Sequence, residues 1–120
     1  MVDNLDELSL ELVEGSLTCE SITFTMTYNG EDTLYTGDWY VIEENIAGKW
    51  HTIPTNQDMI FTMEAYPITD DKPVNFEVNW STYYDSLPTG TYRILKKVHE
   101  HQHGGNIVNY YLALEFEISN

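Results

Sequence analysis

Apolar and polar residues alternate with a period of two along almost the whole chain, and a helical period is sustained nowhere. Leu8, Leu10 and Leu12 alternate with Ser9, Glu11 and Val13, which predicts a first strand ending near Gly15. Ile22, Phe24, Met26 and Tyr28 alternate with Thr23, Thr25 and Thr27, and Asn29-Gly30-Glu31-Asp32 is the turn that closes this second strand. Asp38 to Glu44 predicts a third strand, turned by Asn45 to Gly48 into Lys49 to Ile53 and stopped by Pro54. Met59 to Ala65 reads as a short edge strand before a loop at Thr69 to Pro73. Val74, Phe76, Val78 and Trp80 alternate with Asn75, Glu77 and Asn79 in the half-buried pattern, and Ser81 to Ser86 has room for one helical turn. Tyr92 to His99, the hairpin Gly104-Gly105-Asn106 and Ile107 to Ser119 complete the set. In the last strand Leu112, Leu114, Phe116 and Ile118 face one way, Glu115 and Glu117 the other.

Seven to nine short strands in a chain of 120 residues is the count of a β-sandwich. The segment Leu87-Pro88-Thr89-Gly90-Thr91-Tyr92 sharpens this. Proline presets φ, and Gly90 is expected to take the positive φ that a β-carbon penalises. Tyr92 then stands where a tyrosine at the start of the penultimate strand hydrogen-bonds back across the corner of an immunoglobulin-like sandwich. The expected fold is therefore all-β: an immunoglobulin-like Greek-key sandwich of seven to nine antiparallel strands, forming one domain over residues 1–120. No linker, repeat or low-complexity stretch interrupts the alternation.

Charge changes the picture. Twenty carboxylates face five basic residues for a net −15, and all five basic residues lie between Lys49 and Lys97. Such a chain is repelled by nucleic acid and anionic membranes and attracted to basic surfaces. No apolar run approaches the ~18 residues of a membrane span, so no membrane insertion is expected. The single cysteine, Cys19, excludes an internal disulfide. Met1 to Glu14 is acidic, without the basic region of a signal peptide. A native start at Met1 places the chain in the cytoplasm, and a removed leader places it at the cell envelope or outside.

Asp38-Trp39-Tyr40-Val41-Ile42-Glu43 with Gly48-Lys49-Trp50, then Val78-Asn79-Trp80, Leu87 to Ile94 and Tyr111 to Ile118, resemble a family of bacterial immunoglobulin-like domains. The resemblance covers roughly residues 8–118. It implies an appendage of the Gram-positive cell envelope, in lipoproteins or on membrane peptidases, with no catalytic residues to carry over. Within it Trp39, Trp80, Gly90 and Tyr92 are expected to be structural.

Candidate chemistry is sparse. Acidic neighbours raise a thiol's pKa, which argues against Cys19 as a nucleophile, and no phosphate loop, nucleophile elbow or metalloprotease helix is present. Neither an enzyme nor a cofactor is expected. His99, His101 and His103 alternate and share one face if their strand continues. They read either as a weak metal site or as a solvated hairpin end beside Gly104-Gly105. Trp39, Trp50, Trp80, Tyr83, Tyr84, Tyr110 and Tyr111 serve either as core and sheet cover or as an exposed stacking stripe.

The expected partner is a protein with a basic surface, met by an acidic face of Glu7, Glu11, Glu14, Glu31, Asp32, Glu115 and Glu117, the chain itself being a monomer or weak dimer. Two function classes follow. One is a non-catalytic interaction module. The other is a phage-type inhibitor, anti-CRISPR or anti-restriction, that blocks a basic nucleic-acid channel by acidic mimicry. A carbohydrate-binding sandwich is a weaker third reading, resting on the tryptophans.

Overall fold

A computed structural model describes residues 7–31, 33–56, 65–101 and 105–119, with backbone only for His101. Two antiparallel sheets face each other. The smaller has the order β1-β2-β6, from β1 (Leu8–Leu12), β2 (Ser21–Tyr28) and β6 (Val74–Asn79). The larger has the order β4-β3-β7-β8, from β4 (Lys49–Thr52), β3 (Leu34–Ile46), β7 (Gly90–His101) and β8 (Ile107–Ile118). The short β5 (Tyr66–Ile68) also pairs with β3. The chain crosses between sheets after β2, after β5 and again after β6, as the expected sandwich requires. Eight strands and no helix are found among the described residues.

The alternation decides what is buried. Ile22, Phe24, Met26 and Tyr28 from β2 meet Tyr40 and Ile42 from β3, Tyr92, Ile94 and Val98 from β7, and Leu112, Phe116 and Ile118 from β8. Trp80 follows β6 and is fully enclosed, its ring stacked 5.8 Å from Phe116, which stacks 5.8 Å from Tyr92. The Trp80 indole N–H and the Leu87 amide both donate to the Cys19 carbonyl, at 3.0 and 2.9 Å. One carbonyl thus ties the entry of β2 to both ends of the turn after β6. That turn is the single helical turn read from the sequence, closed by Tyr84 N–H on the Trp80 carbonyl at 2.7 Å.

Three local readings change, and a fourth is not reached. Gly90 does not have a positive φ; it belongs to β7, and a β-carbon there would lie 3.3 Å from the Tyr92 ring and hydroxyl. The tight approach of Tyr92, and not a left-handed turn, is what favours glycine here. β3 begins at Leu34 rather than Asp38, because a bulge between Thr36 and Tyr40 breaks the alternation without ending the strand. Three residues of β3 oppose one of β7 there, so Thr36 and Tyr40 both still face the core. β5 was not legible, being three residues long with Pro67 in the middle, which an edge position tolerates. The edge strand expected at 59–65 lies outside the described residues except for Ala65, which is in no strand.

Candidate functional site

The alternation that sends one row of the larger sheet into the core sends the other row to solvent. Trp39, Val41 and Glu43 of β3, Thr52 of β4, Leu95 of β7, and Asn109 and Tyr111 of β8 line an open groove of about 520 Å³ across the outer face. Its floor is apolar: Val41 is half-buried and Leu95 almost completely covered, although both stand on the outward row. Its rim is polar.

Each wall is braced. Trp39 and Tyr111 meet edge to face with centroids 5.8 Å apart, and the Lys97 ammonium lies 5.7 Å from the Trp39 centroid. On the other side the Arg93 guanidinium sits 4.5 Å over Trp50. Arg93 Nε donates to Glu43 Oε1 at 2.6 Å, with Nη2 equally close to the same oxygen. Thr52 Oγ1 donates to Glu43 Oε2 at 3.4 Å. The side chains of Arg93 and Glu43 are mostly covered, so this pair is stiffer than an exposed ion pair and neutralises the carboxylate at the groove. The aromatic rings are therefore held in place before anything binds.

The described members of the acidic set do not gather on one face. Glu115 and Glu117 are exposed on the outer row of β8, with Glu115 opposite Arg93 in register. Glu11 is exposed on the outward row of β1, opposite Thr25, and belongs to the smaller sheet. The outward rows of a sandwich point in opposite directions, so these two groups are on opposite sides of the molecule. Glu7 precedes β1, and its carboxylate converges with the Tyr28 hydroxyl over Gly30. Glu14 and Glu31 are exposed in the turns after β1 and β2, and Asp32 is outside the described residues.

Of the three alternating histidines, His99 stands on the outward row of β7 with its ring stacked on Tyr35, centroids 5.7 Å apart. The strand does run on to His101, whose side chain is not described, and His103 is outside the described residues. Among the described residues no three of His, Cys, Asp or Glu converge as a metal site would require. Trp39 is on the outer face, Trp80 is in the core, and Tyr92 donates from its hydroxyl to the Pro88 carbonyl at 2.7 Å.

Two features escaped the sequence reading. The apolar floor is one, and its signal was available: Val41 and Leu95 are apolar residues on a row that otherwise reads polar. Lys96 is the other. It stands between Ile94 and Val98 on the inward row, is 1% exposed, lies 4.4 Å over the Phe76 ring, and donates to the Gly37 carbonyl that the bulge turns inward. Burial pushes its ammonium down to about 8, against the opposing pull of Asp38. It borders a cleft of about 200 Å³ that also includes Asp38, Tyr40, Glu77 and Tyr83.

No curated protein and no solved structure matches this chain. The family model described as bacterial Ig-like domain matches residues 4–117, from before β1 to one residue short of the end of β8. The chain belongs to the bacterial Ig-like domain family.

Proposed function

We propose that this domain is a non-catalytic protein-interaction module that receives a basic partner on the outer face of its larger sheet. The observation that carries this is the placement of Trp39, Tyr111 and Arg93 on the solvent side of a regular sheet, around an apolar floor. Trp, Tyr and Arg are the residues that most often anchor protein interfaces, and rings already braced lose little freedom on binding. Glu115 and Glu117 stand on the same outward row of β8 as Asn109 and Tyr111, and the net −15 steers a cationic surface toward this molecule.

The division of the acids between opposite faces favours this module over a phosphate-mimicking inhibitor of the anti-CRISPR or anti-restriction kind. Mimicry of a nucleic-acid backbone needs one continuous acidic track. A neutral sugar ring is the second reading of the groove, supported by its aromatic wall and the Asn109 and Thr52 rim.

The test is capture of partners from the native host by the wild-type domain, by Trp39→Ala/Tyr111→Ala, and by Glu115→Lys/Glu117→Lys, with low-salt and high-salt washes. The module reading expects a basic protein that is released by salt and lost with both double variants while their thermal unfolding stays close to wild type. A partner retained by both variants would move the site off this face. Neutral oligosaccharides that quench tryptophan emission, and fail to do so in Trp39→Ala, would establish the sugar reading instead.

A further inference from the structure

We infer that the partner engages this face by adding an extended, alternately basic segment as a strand to the edge of β8 that no described strand pairs; this rests on the module reading above and specifies its mode. β8 is twelve residues long and pairs with β7 in unbroken register from Ile107↔His101 to Ile118↔Gly90. It ends the strand order of the larger sheet, so among the described residues no strand pairs with its far side. A strand of that length at an edge presents a row of backbone N–H and C=O groups ready to pair. Folded proteins blunt such edges with proline, lysine, bulges or brevity. β1, β4 and β6 are short, whereas β8 has no proline, no lysine or arginine and no register shift. Its only charges are Glu115 and Glu117.

Those charges choose the occupant. A second copy of this chain brings another −15, whereas a cationic strand is drawn in. The two rows of β8 also specify the pattern of that strand. Its outward row ends in Glu115 and Glu117, so outward side chains of the added strand meet carboxylates there. Its inward row is Tyr110, Leu112, Leu114 and Phe116, of which Tyr110 and Leu114 are only half-buried, so inward side chains of the added strand extend the core. Ile107, 55% exposed, stands on the outward row at the start of β8, so the basic positions are called for at the Glu115–Glu117 end. Basic outside and apolar inside, alternating, is the complementary sequence.

The probe is a synthetic peptide of roughly eight residues, a common strand length, in which lysine alternates with valine. Strand addition requires that one alternate set of its amides bonds to β8 while the other set faces away. Methylating the amide nitrogens of one set is therefore expected to weaken binding by at least roughly tenfold, and methylating the other set to leave it within about twofold. Amide exchange in β8 is expected to slow on binding, and the unliganded domain to sediment as a monomer. Equal tolerance of both methylated sets, no binding of the parent peptide, or self-association protecting β8 would each overturn the inference. If the peptides bind irrespective of methylation and shift only Trp39 and Tyr111, strand addition fails while the outer-face module stands. If host partners ignore both double variants, the module reading fails on its own experiment.

Discussion

The Lys96 ammonium is enclosed between the sheets and donates to the carbonyl of Gly37, the residue at which β3 bulges. A buried cation with one backbone partner is under-solvated, and this is why its proton leaves early, near pH 8 instead of the ordinary 10.5. The bulge and the lysine explain each other. The bulge turns a carbonyl inward that needs a donor, and the long side chain of Lys96 delivers one from the neighbouring strand.

A pH dependence follows from this pair and from Tyr40. Between pH 8 and 10.5 the unfolded chain keeps the Lys96 proton and the folded chain has lost it, so stability rises with pH. Tyr40 acts oppositely: burial, reinforced by Tyr84 and Tyr83, pushes its hydroxyl from 10.0 up to about 12. In that window the folded chain holds the proton and the unfolded chain does not, so stability falls. Urea midpoints across the alkaline range are expected to rise from pH 8, peak near 10 and then drop. In Lys96→Met the rise is expected to vanish while the drop remains.

Tyr92→Phe tests the corner. The hydroxyl donates to the Pro88 carbonyl at 2.7 Å from a fully buried ring. Pro88 is exposed, so water can take the place of the lost donor, and the cost is the net contribution of one hydrogen bond, roughly 0.5–1.5 kcal/mol. Denaturant unfolding is expected to show that loss with an unchanged far-ultraviolet spectrum, since the ring and its stack on Phe116 are retained.

The β3–β4 hairpin contains a correctable strain. Ile46 pairs with Lys49, so the loop is Ala47-Gly48, and both residues have positive φ, 55° and 85°. That is the geometry of a two-residue primed turn, in which asparagine or glycine suits the first position and alanine does not. Ala47→Asn is expected to stabilise by roughly 0.5–1 kcal/mol, because the left-handed region costs an alanine about that much or more. A calorimetric scan checks it; an unchanged or lowered melting temperature would contradict the turn geometry.

Gly30→Ala is expected to be costly for a different reason. Gly30 is buried, and a β-carbon there would fall on the Tyr28 hydroxyl and the Glu7 carboxylate. Forcing a methyl into such a site typically costs roughly 1–3 kcal/mol. If the loss arises at Glu7, the double variant Glu7→Ala/Gly30→Ala should recover part of it, readable as a non-additive change in urea midpoint.

Much of the architecture follows from the alternation alone. Ile22 to Tyr28, Val74 to Trp80 and Leu112 to Ile118 each specify a strand and its buried row, because a period of two leaves only one face to bury. The corner at Tyr92 is likewise local, since its partner Pro88 is four residues away. What pattern cannot determine is which outward rows come together. Glu11 and Glu115 read alike along the chain, yet the sandwich places them on opposite sides, because facing sheets turn their outward rows away from each other. The groove required four strands to converge, and the role of Lys96 required a bulge on the neighbouring strand that Gly37 marks locally without showing which side chain meets it. Single-strand properties were set by nearest neighbours in sequence; the binding face and the buried cation were set by packing between residues far apart in sequence, Trp39 with Tyr111 and Gly37 with Lys96, which only the tertiary structure decides.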